Sequence, residues 1–292
     1  MPRNCPKTLT AAALAMSLLV FAACPTLAEC GSDTSEVDAR CYNGDLQAAV
    51  DDAIASDRPL LLPRGKYPIS KPLVIDYTEH ADSGFMIISR GATIDGTAIH
   101  HGPVLQIICS GGSPARSKGC FYFHQEGTLF VNANTDGFAF VLGQPDFSDA
   151  QNSIKIDHLI INNANHAATG GAAQFNYVLN ADMFVVADSG GAGVGIDIEQ
   201  LQFSVLRGAA SATNGTAIML GPGYIFANTF QGLDLEASQV CISDMHLRTT
   251  NNTWTSPFVN CPTGLVYGQA TPMLGQINWQ LGGEVRVPYV MR

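Results

Sequence analysis

Between Gly195 and Phe203 the chain reads G-I-D-I-E-Q-L-Q-F, with two acids set between apolar residues. Successive side chains of a strand point to opposite faces. Ile196 and Ile198 would then face a core while Asp197 and Glu199 share the outer side, their Cβ atoms roughly 7 Å apart. Paired carboxylates are what glycoside hydrolysis uses, about 5 Å apart for retention and about 6.5–9.5 Å for inversion. Crowded like charges also raise one pKa, which a general acid requires. The plainer alternative is a solvated acidic edge.

Other residues invite the same question. I-K-I-D-H-L-I-I begins at Ile154 and V-C-I-S-D-M-H-L at Val240, and both share with I-D-I-E-Q-L-Q-F apolar residues at positions 1, 3, 6 and 8. Aligning segments on this template stacks Asp157, Asn180 and Glu199 at one outward place, and Lys155 and Asp197 at the other. With adjacent rungs about 4.8 Å apart, these residues would form one polar patch. Asp157, Asp197 and Glu199 are then the candidate catalytic carboxylates, with Asn180 orienting a sugar and Asp182 and Lys155 at its margin. A lyase needs a basic side chain beside a neutralised uronate; Arg207 and Arg248 are candidates, with the acids holding a Ca2+ ion. The seven histidines show no metal-ligand spacing; His100, His101, His158 and His246 read as structural. Tyr224 and Tyr267 could stack on sugar rings. Trp254 and Trp279 could do so too, but they fall on an apolar ladder that suits a core better.

The elements that must position these residues are mostly strands. Residues 45–56, D-L-Q-A-A-V-D-D-A-I-A-S, put Leu46, Ala49, Val50, Ala53 and Ile54 on one helical stripe behind an Asp45 N-cap. Short apolar runs punctuated by Gly, Pro, Asn and Asp follow. Strand starts at Ile154, Tyr177, Ile196, Ile218, Val240 and Leu265 recur at 23, 19, 22, 22 and 25 residues. A second ladder, Phe184, Leu206, Phe230, Trp254 and Trp279, keeps step at 22, 24, 24 and 25. Such repetition implies stacked coils that feed continuous parallel sheets.

An amphipathic helix leading into L-L-L-P-R-G-K-Y-P-I-S-K-P-L-V-I at 60–75 resembles the start of the pectate-lyase-like superfamily. That likeness implies an all-β, right-handed parallel β-helix whose helix caps the N-terminal end, spanning 29–292 as one domain. The superfamily contains hydrolases, lyases, epimerases, tailspikes and adhesins. The resemblance therefore implies a carbohydrate partner and admits a spike-like homotrimer, but leaves the activity open. Asn134-Thr135-Asp136-Gly137 is similar to the N-T-D-G motif of polygalacturonase-type hydrolases, which would make Asp136 a catalytic acid. The Asp-Asp, G-H-G and R-I-K elements of that pattern are missing, and N-T-D-G is ordinary turn chemistry. The W-I-D-H and R-x-P-x-x-R motifs of pectate lyases and the D-P-H-D of alginate epimerases are likewise absent.

Arg3, Lys7, the 16-residue apolar run Leu9–Cys24 and Thr26-Leu27-Ala28 form a secretory signal. The run is shorter than the roughly 20 residues that cross a bilayer. A secreted or periplasmic product is expected; a lipoprotein anchored at Cys24 is the lesser alternative. Cleavage after Ala28 leaves 13 Lys+Arg against 25 Asp+Glu, a net charge of −12, which disfavours nucleic acid as a partner. That charge would also repel a polyanionic glycan unless a cation bridged the two. Cys30, Cys41, Cys109, Cys120, Cys241 and Cys261 remain. They read as a disulfide framework with Cys109–Cys120 at the base of a polar loop, and neighbour pairing adds Cys30–Cys41 and Cys241–Cys261. No cofactor or metal site is indicated, apart from Ca2+ if the protein is a lyase.

Overall fold

The computed structural model describes residues 30, 34–109, 120–167, 169–244, 249–267, 278–280 and 289–291. The chain winds as a right-handed parallel β-helix of about eight turns. Among the described residues three sheets run along the stack, with 12, 9 and 6 strands, and all their pairings are parallel. We call them the large, second and short sheets. Among the described residues six coils each contribute a strand to the large sheet, one to the second and a two-residue strand to the short sheet. The coil at Asp182–Ser189, Val194–Ile198 and Leu201–Gln202 is representative.

The helix α1 (Leu46–Ala55) starts where the Asp45 carboxylate accepts the Ala48 N–H, and it buries Leu46, Ala49, Val50 and Ala53. Those residues join the first coils in one continuous core. A cap of this kind covers the apolar end of a stack that would otherwise lie open to water. The three cysteine pairs are disulfide-bonded as neighbour pairing predicts, with Cα separations of 5.6, 6.1 and 5.6 Å. Among the described residues no helix is long and apolar enough to cross a membrane. The signal segment, Cys24, His246 and Arg248 lie outside the described residues.

The repeat length is read correctly, but its phase is not. In the second sheet Ala173, Ile196, Ile218, Ile242 and Leu265 stand in register. Ile154 instead precedes the large-sheet strand Lys155–Asn163, and Tyr177 precedes the short-sheet strand Val178–Leu179. In the large sheet Met183, not Phe184, aligns with Leu206, Phe230 and Trp254. A one-residue slip in a strand reverses the face. Met183 is accordingly buried, while Phe184 packs outside, edge-on to His158 at 4.6 Å between ring centres.

One corner geometry recurs. The residues after the short-sheet strands, Tyr122, Ser153, Asn180, Phe203, Ala227 and Asn251, all have φ between 49° and 62°. This left-handed conformation turns each coil back into the large sheet and is disfavoured for residues other than Gly and Asn. Behind the corner the buried Asn228 and Asn252 side chains donate to the Leu201 and Ile225 carbonyls. Asn252 Oδ1 also accepts from Asn228, and Asn228 Oδ1 accepts from the Ser204 N–H. Stacked amides supply the bonds that irregular buried backbone lacks.

Candidate functional site: a carboxyl pair on the second sheet

Asp197 sits in the second-sheet strand Val194–Ile198, between Ile196 and Ile198, both fully buried. Alternation turns it away from the core, yet only 2% of it is exposed. Its rung neighbours are Gln174 and Met219. Gln174 Nε2 donates to Asp197 Oδ2 at 3.0 Å, while Oδ1 is buried without a donor. Glu199 lies just past the strand end, half-buried, its N–H bonded to the Phe175 carbonyl at 2.8 Å.

Burial first, and then the Glu199 charge, push the Asp197 carboxyl up to about 7, with the Gln174 bond opposing the shift. A proton on Asp197 relieves both the burial penalty and the repulsion from Glu199. Gly221, on the next coil, makes room for the Glu199 side chain. A methyl group there would lie 2.5 Å from Glu199 Oε2 and 2.9 Å from its Cα. Neither Gln174 nor Gly221 stands out in the sequence, because their roles depend on register and close approach.

The sign of the pH dependence follows from that raised value. Between about pH 4 and 7 the folded chain keeps a proton on Asp197 that the unfolded chain has released, so stability falls as pH rises through this window. The full effect is on the order of 4 kcal/mol, taken as an upper bound. Burial also raises Asp149, which adds to the trend. Melting temperature followed from pH 4 to 8 should therefore decline toward neutrality, and Asp197→Asn should flatten the decline. A profile unchanged by the substitution would contradict the proton assignment.

The patch expected from the sequence divides. Asp157 and Lys155 belong to the large sheet, whereas Asp197 belongs to the second, so they do not stack. Asp157 accepts the Gly127 N–H at 3.2 Å beside a bulge, and its Oδ1 lies 3.1 Å from Lys155 Nζ and 3.7 Å from His124 Nε2. Burial pushes its pKa up, but the Gly127 and Lys155 bonds outweigh it and hold Asp157 below the usual range. It is thus an ion-pair carboxylate and not a proton holder. Asp182 is in register with Lys155 and accepts from the Arg207 guanidinium. A free base is therefore not what Arg207 presents. Asn180 occupies the left-handed corner, exposed, and donates to Asn152 Oδ1 at 2.9 Å. It too is apart from the pair.

Asp136 lies half-exposed at the turn from the large sheet into the second, with His101 Nδ1 2.7 Å from its Oδ2. The N-T-D-G segment is anchored by Thr135, fully buried, whose hydroxyl donates to the Gly102 carbonyl and accepts the Gly137 N–H. Among the described residues no three His, Cys, Asp or Glu side chains converge as a metal site would require. Comparison with protein-family models, with curated proteins and with solved structures finds no match to this chain.

Proposed function

We propose that this chain is an exported member of the pectate-lyase-like superfamily that hydrolyses glycosidic bonds in a polysaccharide, with Asp197 and Glu199 as its acid–base pair. One observation carries the reading: Asp197, at an outward position of the sheet beside Glu199, is 2% exposed, and burial pushes its carboxyl up to about 7. Glu199, the more exposed member, faces the substrate, and Asp197 keeps the proton in reserve behind it. The pair gives its proton to the glycosidic oxygen as the C–O bond breaks. Its remaining negative charge stabilises the oxocarbenium-like centre. Water then adds hydroxide to the anomeric carbon, and its other proton returns to the pair. The three disulfides support export, since such bonds persist in oxidising compartments.

The test is reducing-end release from a panel of neutral and acidic polysaccharides. Wild type should release ends from at least one of them, and the Asp197→Asn, Glu199→Gln double variant should not. Equal activity in both would place the chemistry elsewhere. A second reading, glycan binding without cleavage, is favoured by Tyr122, Phe203 and Tyr224, each more than half exposed. Aromatic faces exposed in this way suit the apolar side of a sugar ring. Silence across the whole panel, with binding retained, would favour it.

A further inference from the structure

Where the first coils meet, a groove of about 460 Å³ opens beside the large sheet, within the range of small-molecule sites. Arg58, Met86, Tyr122, His124 and Lys155 are among its lining residues, as is Asp57. Met86, His124 and Lys155 occupy three successive rungs in register, about 4.8 Å apart. The groove collects cations on a chain of net charge −10.

Lys155 is only partly countered, whereas Arg58 is engaged at each guanidinium nitrogen and lends its charge to the groove wall. Lys155 Nζ lies 3.1 Å from Asp157, and 55% of its side chain is exposed. Arg58 reaches Asp52 at 3.4 Å, the Thr34 carbonyl at 3.2 Å and Ser56 Oγ at 2.9 Å. Asp57 is engaged by His80 at 3.2 Å. His124 Nε2 is buried and makes no hydrogen bond, with Asp157 3.7 Å away.

Tyr122 supplies the second feature. It adopts φ 62° at the corner, where Asn180 and Asn251 show the better-suited residue, and 58% of it is exposed. The coil corner imposes this conformation at a cost on the order of 1–2 kcal/mol, so what singles out Tyr122 is its exposed aromatic ring on the groove wall. Gly84, at φ 91°, lets the opposite wall close on it. A Cβ at Gly84 would fall 2.4 Å from the Tyr122 carbonyl oxygen and 2.7 Å from its Cβ.

We propose that this groove binds an anionic sugar unit, its carboxylate or sulfate held by Lys155 and Arg58 and its ring lying on Tyr122. The proposal rests on the glycan reading but not on catalysis by the carboxyl pair. It would also let an acidic chain retain an acidic glycan without a bridging cation.

Calorimetric titration tests it with a galacturonate hexamer, a sulfated glucan hexamer and the unmodified glucan hexamer, at low and raised salt. At least one acidic hexamer should bind more tightly than the neutral one and weaken as salt rises. Lys155→Gln, and Tyr122→Asn with its corner-compatible side chain, should each weaken it about tenfold. Asp188→Asn, which removes an exposed carboxylate outside the groove, should bind as wild type does. Neutral binding as tight as acidic binding, or acidic binding unmoved by both groove variants, would overturn the proposal. Binding through the groove without any cleavage would sink only the hydrolase reading. Cleavage of neutral glycan without preference for the acidic hexamers would sink only this one.

Discussion

Asp197→Asn should lower hydrolysis by about 10²–10⁴-fold, the range for losing a positioned proton donor. The amide keeps the shape, and its oxygen can still accept from Gln174. What it removes is the titrating proton that burial and the Glu199 charge hold up to about pH 7. The limb of the pH profile set by Asp197 should then vanish, where a merely structural defect would lower the whole profile without changing its shape. Gly221→Ala provides the geometric counterpart. Both carboxyls remain, but the added methyl meets Glu199 Oε2 at 2.5 Å and must displace it. A wild-type profile in Gly221→Ala would mean that the position of Glu199 beside Asp197 is irrelevant to the reaction.

The largest stability effect is expected at Trp254. It is 2% exposed and stacks on Phe230 with ring centres 4.1 Å apart and 19° between planes. Truncation to alanine should cost about 3–5 kcal/mol, because neighbouring coils are pinned by their backbone ladders and can relax only partly into the void. At roughly 2–4 °C per kcal/mol for a chain of this size, the melting point should fall by about 10 °C. Coils interact chiefly with their neighbours, so amide exchange should quicken first around Thr253–Thr255 and Phe258–Asn260. Exchange that quickened equally at the helix cap would contradict this local coupling.

Period was legible in the sequence and phase was not, for a physical reason. Isoleucines at fixed spacing mark inward positions whichever sheet they serve. Ile156 and Ile198 therefore look equivalent, although one lies in the large sheet and the other in the second. Asp157 was consequently stacked on a pair it does not meet. The pair itself was legible, because Asp197 and Glu199 are neighbours along one short segment and need no register to be brought together. Its burial was not, since Gln174 and Met219 arrive from other coils. The left-handed corner was hidden for another reason: backbone geometry imposes it, so residues as unlike as Tyr122, Ala227 and Asn251 fill it.

The common register of the sheets makes the molecule a ruler graduated in steps of about 4.8 Å. The groove is marked by Lys155, and the carboxyl pair by Asp197 one coil on, since Asp197 pairs with Gln174 of the coil that carries Lys155. Adding whole coils between them, with a glutamine kept at the Gln174 register, would change only the interval. The length of glycan spanning both could then be reset in whole graduations, without redesigning either end.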